Sequence, residues 1–105
     1  MAEITNEQMA SLLVMLEANL EIFTDWMDAD AKTRKETELS QYIVSAISFI
    51  EREGINLDLD DVSDDMLVTM YANYLYDKRK DGVAIMPRVL RYNLNNRLFQ
   101  EKLQP

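Results

Sequence analysis

The residues most able to do chemistry in this chain are its acids, 19 Asp and Glu among 105 positions, densest from Asp58 to Asp65. A calcium loop of the EF-hand kind needs oxygen ligands at positions 1, 3, 5 and 12, with glycine at position 6. Counted from Asp58, position 5 is Val62, position 6 is Ser63 and position 12 is Thr69. Counted from Asn56, position 6 is Asp61 and position 12 is Leu67. Both frames fail, so the run reads as a solvated acidic loop feeding a helix N-cap. No pair of carboxylates stands out for glycoside chemistry, because acids are abundant everywhere. The chain has no Cys and no His. That removes thiolate nucleophiles, most zinc sites and the usual base at neutral pH. Ser and Thr lack a His partner, and no Gly-rich phosphate loop is present. The expectation is a non-catalytic protein with no cofactor and no metal.

The positive signal lies in MPRVLRYNLNNRLF, residues 86–99. Arg88, Arg91 and Arg97 are interleaved there with Tyr92, Asn93, Asn95 and Asn96. Arg and Tyr dominate protein interfaces because each buries a large area and still directs hydrogen bonds. The same residue types suit a nucleic acid, where guanidinium forks meet phosphates and Asn meets base edges. They also suit an ordinary amphipathic helix with a wet, arginine-rich face. Residue types alone leave these three readings open.

Charge adds a direction. Residues 1–77 carry a net −13 and residues 78–105 a net +5, giving −8 for the chain. Such a division fits an acidic partner or nucleic acid at one end. It equally fits self-association, with the basic end of one copy on the acidic end of the next. The alternative function is a small nucleic-acid-binding regulator using the basic 78–102 region. The overall negative charge opposes that reading, and the 81–86 connection is longer than a helix-turn-helix turn.

The elements that must carry these residues are helical. Two Gly and two Pro punctuate the chain, and apolar spacing of three and four dominates. A first helix starts at Thr5, whose spacing to Gln8 is that of a capping box. Met9, Leu12, Leu13, Leu16 and Leu20 form its stripe. Residues 21–31, EIFTDWMDADA, break the pattern and read as a turn or short extended piece. Ile22, Phe23 and Trp26 read there as core plugs. A second helix, starting as early as Lys32, places Leu39, Tyr42, Ile43, Ala46, Ile47 and Ile50 on one face and ends at Gly54, a C′ residue. INLDLDDV follows as a loop with room for a short extended segment. A third helix begins near Ser63 as N-cap, with Asp64 and Asp65 complementing its dipole. Leu67, Met70, Tyr71, Tyr74 and Leu75 are its stripe, Lys78, Arg79 and Lys80 its close, and Asp81-Gly82 the turn after it. A fourth helix starts at Pro87 as N1. It has Leu90, Leu94 and Leu98 on one face and Tyr92, Phe99 and Leu103 on another. One small core needs only one of these faces, so the second implies a contact outside the subunit. The N-terminus MAEITNEQ is acidic where a signal peptide would be basic, and no apolar run reaches the ~20 residues of a membrane span. The expected setting is the cytoplasm, in a single domain over 1–105.

At this point a family resemblance enters. The block DDMLVTMYANYLYDKRKDGVAIMPRVLRYNLNNRLF resembles the C-terminal half of the phage head–tail connector proteins, also called head-completion or adaptor proteins, of tailed phages and prophages. LVMLEANLEIFTDW, the acidic break and the helix ending AISFIEREGI resemble that family's first two helices and the turn between them. The resemblance covers roughly residues 8 to 100, and MPRVLRYNLNNRLF is its most specific piece. It implies an all-α bundle of about four helices, with a long connecting segment between helices two and three. It implies a ring of identical subunits docked below the portal, extending the DNA channel toward the tail or a further completion protein. The implied partners are other copies of the chain, the portal protein, the tail or completion protein, and phage DNA passing non-specifically; no membrane is involved. The implied location is the virion, after assembly in the host cytoplasm. The residues expected to meet a neighbour, the portal or DNA are Lys78, Arg79, Lys80, Arg88, Arg91, Tyr92, Asn95, Arg97 and Phe99.

Overall fold

The computed structural model describes residues 4–82 and 85–103, without the side chains of Lys80 and Asp81. Its elements are α1 (Asn6–Leu20), α2 (Ala29–Arg52), α3 (Val62–Asp81) and α4 (Arg88–Leu103). Among the described residues there is no strand, so the fold is an all-α bundle. No described helix is long and apolar enough to cross a membrane.

Local rules set most of the boundaries. Thr5 and Gln8 form the expected capping box: Gln8 N–H donates to Thr5 Oγ1 at 3.1 Å and Thr5 N–H to Gln8 Oε1 at 2.9 Å. α1 ends on Glu21 in the left-handed region, φ 57°, with Ile22 N–H returning to the Glu17 carbonyl. α2 begins at Ala29, earlier than the Lys32 expected, because Asp28 caps it by accepting the Ala31 N–H at 2.8 Å. Gly54, φ 101°, follows the C-cap Glu53 as expected. The cap of α3 is Asp61, which accepts the Ser63 N–H at 2.8 Å; Ser63 lies inside the helix. A carboxylate two residues earlier satisfies the Ser63 N–H, so the helix begins at Val62, ahead of where a Ser63 cap would start it. Gly82, φ 71°, closes α3 with its N–H on the Lys78 carbonyl. α4 runs from Arg88. Pro87 sits just before it, its carbonyl accepting from the N–H groups of Leu90 and Arg91.

α3 is central and packs against α1, α2 and α4. It runs antiparallel to α2: Phe49 stacks on Tyr71 at 5.9 Å and Tyr42 meets Tyr76 edge-on at 5.6 Å. The core joins Leu12 and Leu16 of α1, Leu39, Ile43, Ala46, Ile47 and Ile50 of α2, and Leu67, Val68, Tyr71, Ala72 and Tyr76 of α3. Leu90 and Leu94 extend it under α4. The 53–61 connection is itself anchored. Ile55, Leu57 and Leu59 are buried while Asn56, Asp58 and Asp60 between them are exposed, the alternation of extended backbone. Gln8 of α1 ties down its far end through Asp60 at 3.0 Å.

Two expectations fail. Phe23 is 70% and Trp26 78% exposed, so neither plugs the core; of the three only Ile22 packs against it. Leu12, Leu16 and Leu39 are already fully buried between the helices, with Ile22 packed against the core from the turn. The acidic run is also not wholly solvated, because Asp64 and Asp65 are buried.

Candidate assembly surface

α4 is a helix with two faces. At 3.6 residues per turn, Leu90, Leu94 and Leu98 share one side, and Arg88, Tyr92, Asn95 and Phe99 fall within about 60° on the other. Leu90 and Leu94 are fully buried against α3, and the Leu98 methyl lies 3.5 Å from where a Cβ on Gly54 would stand. Among the described residues the opposite side has no partner: Tyr92 is 65% and Phe99 63% exposed, with Val89 and Leu103 exposed beside them. The expected second apolar face is therefore present and open.

Arginines divide the same way. Arg97 clamps α4 inward. Its Nε donates to Asp64 Oδ1 at 2.9 Å and its Nη2 to Asp64 Oδ2 at 3.2 Å. Nη2 also reaches the Asn56 carbonyl at 2.8 Å, and Nη1 pairs with Glu101 at 2.7 Å. Asp64 in turn accepts the Asp58 N–H at 2.8 Å, so one buried carboxylate joins α3, α4 and the 53–61 connection. Arg91 makes a forked pair with Glu53, at 2.9 and 3.3 Å, beside the end of α2. Asp64 chiefly holds the Arg97 guanidinium charged well above the ordinary arginine range, and Glu53 chiefly raises that of Arg91. Arg97 thus spends its donors inside the subunit, a correction to its expected place at the interface. Arg91 stays half-exposed but committed to Glu53. Among the described residues no ion pair holds Arg88 or Lys102.

Of the nine expected interface residues, the structure gathers Arg88, Tyr92, Asn95 and Phe99 on one exposed stripe. It does not bring Lys78 and Arg79 to them. These lie at the C-terminal end of α3, beside the first turns of α2: Lys35 Nζ is 3.3 Å from the Tyr76 hydroxyl and the Arg79 guanidinium 3.9 Å from the Tyr76 ring centre. Lys78 lies 5.9 Å from the Tyr74 ring centre. Burial would raise the Tyr76 hydroxyl pKa, but Arg79 and Lys35 beside it outweigh that and lower it. The Lys80 side chain lies outside the described residues. Beside the stripe, a groove between α3 and α4 is lined by Met66, Met70, Asn93, Asn96 and Gln100. Flexible Met side chains suit such a groove to adaptable contact.

Sequence reasoning missed a second exposed apolar feature, Phe23 and Trp26 at the α1–α2 turn. The signal was present: two aromatics among Glu21, Asp25, Asp28 and Asp30, in a stretch that breaks helical spacing. Among the described residues no group of three or more acids is placed to hold a metal ion. Comparison of the chain with protein-family models, with curated proteins and with solved structures finds no match.

Proposed function

We propose that this chain is a structural assembly subunit, a head–tail connector of a tailed phage or prophage. It docks as a ring below the portal and carries the DNA channel toward the tail. One observation carries the reading: α4 buries Leu90 and Leu94 in its own subunit and offers Arg88, Tyr92, Asn95 and Phe99 to another molecule. A helix whose core face is satisfied gains nothing within the subunit from a second row of aromatics. Exposed Tyr, Phe and Arg in one row have the composition of an interface centre. The resemblance of MPRVLRYNLNNRLF to the connector proteins supplies the identity of the assembly. No catalytic step and no cofactor are assigned, and the final location is the virion.

The test is reconstitution. The purified chain, mixed with the portal protein of the same phage, is expected to co-elute on size exclusion and to form a ring on the portal by negative stain. A chain that elutes apart from the portal at every concentration overturns the proposal.

A further inference from the structure

The 53–61 connection meets all four helices, through different groups on its two sides. Inward, Ile55, Leu57 and Leu59 enter the core. Outward, its polar groups form one run of hydrogen bonds from α4 to the start of α1. Arg97 of α4 donates to the Asn56 carbonyl at 2.8 Å and to the two oxygens of Asp64 at 2.9 and 3.2 Å. Asp64 accepts the Asp58 N–H at 2.8 Å, and the Asp58 side chain accepts the Asp60 N–H at 3.0 Å. Asp60 accepts from Gln8 Nε2 at 3.0 Å, and Oε1 of the same amide accepts the Thr5 N–H in the capping box of α1. Charge makes this run depend on one residue. Residues 58–65 hold five Asp and no Lys or Arg. Among the described residues only Arg97 forms an ion pair with any of the five. Asp64 is buried, and Asp65 beside it is buried with one oxygen lacking a hydrogen-bond partner.

We infer that the 53–61 connection is a charge-sprung strap, closed by Arg97, that couples the seating of α4 to the start of α1. The strap has two states. With Arg97 inserted, the guanidinium neutralises Asp64 and the hydrogen-bonded run is closed. With Arg97 withdrawn, a buried carboxylate loses its cation, which is strongly unfavourable, and five neighbouring carboxylates repel one another. Opening relieves both costs by letting the 56–60 backbone move outward, and Gln8 then loses its acceptor. An outward movement of α4 is thereby felt at the first turn of α1, which α4 reaches through the strap. The coupling is reciprocal, so a change at Gln8 is felt at Asp58 and at the seat of Arg97. The device works through the inner face of α4 and is independent of what meets the outer face.

Amide hydrogen exchange on the full chain, read by NMR, tests the coupling from both ends. Arg97→Gln removes the charge and keeps a polar side chain. It is expected to speed exchange at the Asp58 N–H by about tenfold or more, as a charged hydrogen bond is lost. The Gln8 and Met9 N–H groups, both bonded to Thr5, are expected to exchange roughly threefold faster, the effect of one exposed hydrogen bond. Sodium chloride at about 1 M screens charges beyond ~3 Å. It is expected to restore much of the protection in Arg97→Gln, which a residue acting by packing alone would not show. Arg97→Lys keeps the charge and is expected to fall nearer the unaltered chain. In the other direction, Gln8→Glu preserves the capping box, which Glu serves as well as Gln, but turns a carboxylate toward Asp60. It is expected to speed exchange at Asp58 roughly threefold. The Ala31 N–H, at the other end of α2, is expected to change little in every variant. Faster exchange at Asp58 with unaltered rates at Gln8 and Met9 overturns the coupling. Acceleration that salt leaves in place overturns the charge spring. Equal acceleration at Ala31 marks a general loosening and overturns the strap as well. If Arg97→Gln is unfolded by circular dichroism, Gln8→Glu decides, and an unaltered Asp58 rate in that protein overturns the inference.

Discussion

Arg88 and Arg97 lie on the same helix and do opposite work. Arg97 has all its neighbours inside the subunit: a forked bond to a buried carboxylate, a backbone carbonyl and Glu101. Arg88 stands exposed on a row with Tyr92, Asn95 and Phe99. The inner face of α4 is packed and paired within the subunit, and the outer face is exposed. Residue type does not separate them; what lies across from each one does.

Substitutions are expected to grade accordingly, in free energy of unfolding. Leu94 is fully buried, so Leu94→Ala leaves a cavity under α4 and is expected to cost about 3–5 kcal/mol by urea denaturation. Arg97→Ala is expected to cost about 3 kcal/mol, because it strands the Asp64 carboxylate, 3% exposed, without its cation. Loss of the clamp also frees the 53–61 connection, so hydrogen exchange at Asp58, whose N–H bonds Asp64, is expected to accelerate. A cost below about 1 kcal/mol for Arg97→Ala would erase the distinction between the two faces.

Next to Asp64, Asp65 tests what the clamp is worth. It is buried as well, but its Oδ1 has no hydrogen-bond partner. Burial first, then the charge of Asp64, raises its pKa above the ordinary carboxylate range. A raised folded pKa makes a contribution that is present at low pH and lost as pH rises through it. At pH 7 the ionised Asp65 is therefore a burden. Asp65→Asn is expected to increase stability by about 1 kcal/mol at pH 7, with the gain disappearing by about pH 3.5, below the ordinary carboxylate pKa. An equal gain at both pH values would assign the effect to packing rather than charge.

The sequence made the inner face easy to see and the clamp invisible. Leu12, Leu16, Ile43, Ile47 and Leu90 are legible because helical spacing is a local rule and burial follows it. Thr5, Gly54 and Gly82 are legible for the same reason, since caps act within a few residues. Asp64 looked like a first-turn acid complementing a dipole, and nothing nearby showed that Arg97, 33 positions away, would neutralise it. Phe23 and Trp26 failed in the opposite sense. Apolar character reads as burial, and only the packed helices show that the α1–α2 turn has no core to fill. In the candidate site, Tyr92 and Phe99 were placed on one face by spacing, and the structure sets Arg88 and Asn95 beside them, whereas Lys78 and Arg79, grouped with them among the expected interface residues, lie elsewhere.

The smallest stability effects are expected on the outer face, where the largest functional ones should fall. Arg91 lies between the two regimes: its pair with Glu53 is partly exposed, so Arg91→Ala is expected to cost about 0.5 kcal/mol, less at high salt. Arg88→Ala and Phe99→Ala are expected to change unfolding free energy by less than about 0.5 kcal/mol, because exposed side chains lose few contacts. An interface residue should behave differently in association, since it gains its contacts only there. Each of these two substitutions is therefore expected to leave the denaturation midpoint in place and to weaken self-association or portal binding. A Phe99→Ala protein that unfolds early would show that the ring supports its own helix, and the outer face would then be a second wall of the fold rather than a surface kept for a neighbour.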